Sequence, residues 1–183
     1  MRELTPVLLR PLRDEDAPTL ASWSEDEIFR QCAGWSADLP IEKHVQFWRT
    51  MASAPPPELL RVAAIVGNEL VGYVDLHGTE PDRRELGFLV GPSTRWGRGL
   101  GLRVAAKGVA LGLVELGLPE VWAETHPRNA AALAILRKLG MTEFGEGDEE
   151  EFLGERERMR QFSLTRDRWF GHVEPGANSS TGG

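Results

Sequence analysis

The stretch ELGFLVGPSTRWGRGLG, residues 85–101, gathers the residue types best able to hold a charged ligand. A β-rich run ends at Val90, a glycine-rich turn follows, and a helical pattern begins inside that turn. Backbone N–H groups at a helix N-terminus lack internal partners and lie at the positive end of the helix dipole. Gly97, Gly99 and Gly101 remove Cβ atoms that would hold a phosphate away, while Arg95 and Arg98 add fixed positive charge. In chemical terms this is a cradle for a pyrophosphate. It is not a P-loop, because no Gly-Lys pair followed by Ser or Thr is present. The dinucleotide fingerprint G-x-G-x-x-G fails as well, since Val104 stands where the last Gly or Ala belongs. Pro119-Glu120 is also a poor match to the acid expected about 20 residues downstream.

Other chemistry-bearing residues are sparse. Cys32 is the only cysteine, so no internal disulfide forms and a reducing, cytoplasmic setting is expected. It has no basic neighbour to lower its pKa and reads as packing rather than a nucleophile. His126, in HPRN, reads first as a turn residue and second as a base. A net charge of −7 without a basic stripe excludes a nucleic-acid backbone as partner and leans towards a neutral or cationic substrate. No run approaches the roughly 18 apolar residues of a membrane span, and MRELTPVLLRPLRDED lacks the apolar core of a signal peptide. The composition, 41% hydrophobic and 27% charged, suits a globular domain over residues 1–170, followed by a disordered tail over 171–183.

The elements that must position these groups follow from periodicity. Residues 7–12 read as a strand stopped by Pro11, and Asp14 as the cap of a helix carrying Leu20 and Trp23. Val45, Trp48 and Met51 mark a helix over 41–54 that ends at Pro55-Pro56-Pro57. Residues 59–66 and 70–76 form a hairpin around Gly67-Asn68, and 85–90 a third strand. A covered, mostly apolar helix spans 98–116, then a strand 120–125 and a helix 129–139 closed by Gly140. Asn129 is a natural N-cap for that helix. The acidic run 146–151 reads as a solvated loop before a last strand over 158–164. The fold class expected is α+β.

Four segments, in order, resemble the GNAT superfamily of N-acetyltransferases, and within it the ribosomal-protein and aminoglycoside branch. Trp96-Gly97-Arg98-Gly99-Leu100-Gly101 is similar to the Q/R-x-x-G-x-G/A loop, with Trp96 in place of Gln or Arg. ELGFLVGP resembles E-I-G-Y-W-V-D-P of the family's fourth strand. NAAA through RKLGM resembles N-x-x-S/A…E-K-L-G-F, and LRPLRDEDAPTLASW resembles the opening strand and helix. The resemblance covers residues 7 to about 165.

That resemblance implies a mixed, mostly antiparallel sheet splayed between its fourth and fifth strands and flanked by helices. It implies acetyl-CoA as donor, with Phe88, Leu89 and Val90 offering backbone groups to the pantetheine arm. Arg95, Trp96, Gly97, Arg98, Gly99, Leu100 and Gly101 would hold the pyrophosphate, and Asn129 the pantetheine near the sulfur. Glu85 would take the proton of an attacking amine; its alternative is a surface ion pair with Arg83 or Arg84. Trp35 and Asp75 would contact the acceptor, although Asp75 also reads as structural. The family's acid, a Tyr seven residues after the Asn, is Leu136 here, and the alternative Ser is Ala132. A thiol with a pKa of about 8.5 leaves without one. No metal is implied, a homodimer is common in the family, and the acceptor is a small-molecule or protein amine. A CoA-binding sensor without catalysis is the competing reading.

Overall fold

The computed structural model describes residues 5–173; the tail expected over 171–183 lies mostly outside them. Seven strands form one sheet: β1 (Val7–Pro11), β2 (Leu59–Val66), β3 (Glu69–His77), β4 (Arg83–Val90), β5 (Glu120–Thr125), β6 (Thr142–Phe152) and β7 (Glu155–Thr165), in the order β1-β2-β3-β4-β5-β7-β6. All neighbours are antiparallel except β4 and β5. On one face lie α1 (Ala17–Ser22), α2 (Glu27–Ala33) and α3 (Ile41–Ser53). On the other lie α4 (Leu100–Ala110) and α5 (Ala130–Lys138), and α6 (Arg166–Val173) follows β7.

Alternation along the strands builds a core on each face. Val74 and Leu76 of β3, Leu86 and Val90 of β4, and Val121 and Ala123 of β5 pack against Val104, Ala105 and Val109 of α4. Tyr73 of β3 and Ala63 of β2 pack against Leu20, Trp23, Phe29 and Trp48 on the opposite side. Helix α4 sits tight on the sheet: a Cβ on Gly108 would stand 2.6 Å from Leu86 and 2.7 Å from Val74. Its last turn widens into a π-helical segment, Leu111–Glu115, where the sequence reads as one continuous helix.

Three departures from the sequence reading have physical causes. The acidic run 146–151 is part of β6, not a loop, because β7 opposes it with bases: Glu146 faces Arg160, Glu149 faces Arg158 and Glu151 faces Arg156. Helix α2 escapes notice because its stability comes from tertiary contacts and an Asp26 cap rather than a long apolar stripe. The entry to α1 is organised by Asp16, not Asp14. Asp16 accepts two 2.7 Å hydrogen bonds from the Arg10 guanidinium and one of 2.8 Å from the Arg13 amide. Among the described residues no helix is long and apolar enough to cross a membrane.

Burial alone would raise the Asp16 pKa, but the Arg10 guanidinium and the Arg13 amide hold it below the ordinary carboxylate value. A depressed folded pKa adds stability above the unfolded pKa, and that stability is lost as pH falls through the folded one. Asp16→Asn is therefore expected to cost about 1.5–3 kcal/mol at pH 7. The gap between variant and parent should close below about pH 4. Urea unfolding of both proteins at pH 7 and pH 3 measures the difference, and an equal loss at both pH values would contradict it.

Candidate acyl-donor and acceptor site

The ladder between β4 and β5 holds for three pairs only: Arg83 with Glu120, Arg84 with Val121, and Glu85 with Trp122. Beyond Glu85 the two strands part. β4 stays on β3 as far as Val90, and β5 stays on β7 as far as Thr125. The edge of β4 that faces the gap, at Phe88 and Val90, thus has main-chain groups with no strand partner, whereas Leu89 turns its own to β3. Such an edge can receive an extended ligand as an added strand. The β3–β4 register is unbroken from Gly72–Val90 to His77–Glu85, and the nearest irregularity lies between β2 and β3 at Ala64 and Ile65. Strict alternation therefore applies. Leu86, Phe88 and Val90 face α4, while Glu85, Gly87 and Leu89 face the α1–α3 layer.

After β4 the chain makes a single turn at Ser93–Arg95 and enters the glycine loop. Gly97 and Gly99 both have φ of +74°, a left-handed conformation that residues with a Cβ seldom adopt. An added Cβ on either would meet nothing within 4 Å, so that side of the loop is open. The amides of residues 97–102 find no acceptor among the described residues, and the first bond onward is Arg103 N–H to Gly99 O at 3.3 Å. Gly101 has a different duty: a Cβ there would stand 2.9 Å from Ile135, so it lets α4 approach α5. Arg98 is exposed, and among the described residues forms no ion pair, whereas Arg95 meets Glu69 at 3.1 Å. The Trp96 indole N–H donates to Val90 O at 2.7 Å, closing the end of β4. Asp26 braces the same turn, capping α2 through Phe29 N–H at 3.0 Å and accepting Ser93 N–H at 2.7 Å.

On the opposite side of the sheet the splay is lined by carboxylates. Glu85 is half-buried, with the His77 imidazole Nδ1 at 3.9 Å as its nearest basic neighbour; Arg83 turns instead to Glu80 at 2.6 Å. Burial first, then the neighbouring Glu124 carboxylate, push the Glu85 pKa up, against a smaller opposing effect of His77. Glu124 was absent from the sequence reading. The signal was available: in EVWAET the buried residues are Val121, Ala123 and Thr125, which turns Trp122 and Glu124 to the face that carries Glu85. Gln161 donates to Glu124 at 3.2 Å and fixes it. Asp75 is fully engaged by Arg61, through two bonds of 2.6 Å, and Arg61 stacks over Tyr73 and Trp48 at 4.7 and 5.3 Å. Burial pushes Tyr73 up to about 12, which makes the one tyrosine a weak acid, poorly matched to a departing thiolate.

The remaining residues divide cleanly. His126 is buried, with Arg128 N–H donating to Nδ1 at 3.2 Å and Nε2 3.1 Å from Glu155 O. Both ring nitrogens are thus engaged by main-chain groups, so His126 is not a free base. Asn129 caps α5 by accepting Ala132 N–H at 3.1 Å, and its amide N–H groups have no partner among the described residues. Leu136, at the position of the family's acid, is buried in the core. Trp35 packs on Phe29, His44 and Trp48. Its outer side lines a cleft of about 600 Å³ between the end of α2 and the β6–β7 turn, with Arg30 on its own wall and Glu151 and Leu153 on the other. No group of three or more His, Cys, Asp or Glu side chains among the described residues is placed to hold a metal ion.

Comparison with known proteins agrees with this geometry. Residues 7–142 match the family described as the acetyltransferase (GNAT) domain. A curated relative, the FsC-acetyl coenzyme A-N(2)-transacetylase of Aspergillus fumigatus, is 35% identical over 49% of this chain and 44% of its own, so the match spans under half of that protein. A spermidine N-acetyltransferase from Vibrio cholerae, solved with CoA and spermine, superposes with a TM-score of 0.74 at 14% identity, over 90% of this chain and 98% of that one. An aminoglycoside acetyltransferase solved with coenzyme A gives 0.74 at 17%, over 92% and 99%. With its seven-stranded sheet splayed at β4 and β5 and the family match over most of its length, the chain belongs to the GNAT acetyltransferase family.

Proposed function

We propose that the protein moves an acetyl group from acetyl-CoA to a primary amine by direct attack within a ternary complex. The observation that carries this reading is the placement of Glu85 and Glu124 on the face opposite α4, beside a splay whose strand edge is free. Acetyl-CoA supplies an activated thioester. The residues fit such a donor: the amides of residues 97–102 are unpartnered, the space over Gly97 and Gly99 is open, and Arg98 adds charge for a pyrophosphate. The free edge offers the main-chain groups of Phe88 and the N–H of Val90 to the pantetheine amides, Leu89 lying between them, and Asn129 offers its side-chain N–H groups.

Glu85 takes the proton of the incoming ammonium, directly or through a water. A carboxylate raised by burial and by a neighbouring carboxylate is a stronger base than one in water, and it becomes protonated nearer neutrality. Glu124 holds Glu85 in that range and, with Glu85, draws a cation to the splay. A main-chain N–H of β4 meets the charge that develops on the carbonyl oxygen. The thiolate departs without a side-chain acid, since Leu136 is apolar and the buried Tyr73 is a much weaker acid than a thiol. An amine acceptor also accords with the two solved relatives named for spermidine and for aminoglycosides.

Two outcomes are expected. Saturating CoA, at about 100 times its Kd, should raise the melting temperature by about 5–10 °C. Gly99→Asn, which tolerates the left-handed backbone but fills the open space, should abolish that rise with little change in the unliganded melting temperature; an undiminished rise would remove the loop from the donor site. For the chemistry, the rate should fall as pH drops through the Glu85 pKa. Glu85→Gln should lower turnover by about 10²-fold and erase that acidic limb. Glu124→Gln should move the limb to lower pH, because a charge that raises Glu85 is gone. An acidic limb unchanged in Glu85→Gln would eliminate Glu85 as the base, and CoA binding without any amine turnover would identify a sensor.

A further inference from the structure

The β6–β7 turn joins Phe152 directly to Glu155 through two residues, Leu153 and Gly154, with φ of +51° and +83°. Two consecutive positive φ values are the pattern of a tight hairpin, in which Asn-Gly or Asp-Gly is the favoured pair. Leu153 is the one non-glycine residue with positive φ among the described residues. Its Cβ is strained in that conformation. Packing within the chain does not offset the strain, because Leu153 is 58% exposed. The turn is nevertheless fixed. Phe152 stacks on His126 with ring centroids 5.4 Å apart, His126 binds Glu155 O, and Arg128 pairs with Glu157 at 2.7 Å. An anchored turn thus holds a strained, exposed, apolar side chain on the wall of the cleft that faces Trp35.

Strain that persists at an anchored position with no internal contact to compensate it points to a ligand contact. We propose that Leu153 determines acceptor specificity, selecting amines whose body is apolar: a cationic head joined to an aliphatic or aromatic group that sits between Leu153 and Trp35. Glu151, on the same wall as Leu153, adds negative charge to the cleft opposite Arg30, while the head itself is the amine drawn to Glu85 and Glu124. The inference rests on the acetyl-transfer reading above in taking this cleft as the acceptor's, and extends it to a chemical class.

The test uses the full chain loaded with CoA and two primary amines of similar basicity, 2-phenylethylamine and ethanolamine. Calorimetry should show 2-phenylethylamine binding about tenfold or more tightly to the parent. Leu153→Asn should bring the two affinities within about twofold and raise the melting temperature by about 2–4 °C, because Asn accepts the left-handed backbone. Leu153→Ala should lose the preference without that gain. A parent without preference, a preference that survives Leu153→Asn, or a variant no more stable than the parent would each overturn the assignment. Acetyl-CoA turnover measured alongside separates the two readings. A Leu153-dependent preference without product leaves this inference and removes the acetyl transfer, product without such a preference does the reverse, and failure of both amines to bind overturns the assignment.

Discussion

The early end of the β4–β5 ladder is the constraint on which the site depends. A sheet that stayed closed would pair the inner edge of β4 with β5 and leave nothing for an extended ligand to bind. Three pairs keep the two halves of the sheet together, and each half is then held by a different partner: β4 by β3, and β5 by β7. The opening is maintained by contacts outside the ladder. Trp96 takes up the last carbonyl of β4, Asp26 fastens the following turn to α2, and α4 presses on β3 and β4 through Gly108. The same contacts orient the glycine loop, so the gap and the loop are held by one set of interactions.

Charge on the α1–α3 face is arranged by the same principle of paired and unpaired groups. Asp75 is neutralised by an Arg61 guanidinium that itself lies over two adjoining aromatic rings, Trp48 and Tyr73. Glu85 and Glu124 have no such cation, and their mutual repulsion is relieved only by Gln161 and, when protonated, His77. A cationic acceptor bound beside them, as proposed, would remove that repulsion. Glu85 and Glu124 thus put negative charge on the α1–α3 side of the splay, while the glycine loop presents unpaired N–H groups.

What the sequence made legible was local. The glycine loop, the strand before it and the cap at Asn129 are set by residues adjacent in the chain, and the structure has them where the periodicity indicated. Glu124, His126 and the β6–β7 turn acquire their meaning only through pairing across the sheet. No local pattern says that Gln161 fixes Glu124 or that Glu155 occupies the second nitrogen of His126. The acidic run 146–151 misled for the same reason: polarity without periodicity resembles a loop until the arginines of β7 are set opposite. Asp75, read as an acceptor contact, is bound by a residue 14 positions earlier in the chain.

The segregation of charge between β6 and β7 also bears on how the chain is made. β7 lies between β5 and β6 in the sheet, so β6 has no place to dock until the later strand has emerged from the ribosome. During that interval the nascent segment carries a row of like charges, Glu146, Asp148, Glu149, Glu150 and Glu151. Mutual repulsion keeps such a segment extended, hydrated and unable to pair with another nascent copy. Arrival of Arg156, Arg158 and Arg160 converts repulsion into attraction, and the same strand that closes the hairpin also gives β5 its second neighbour.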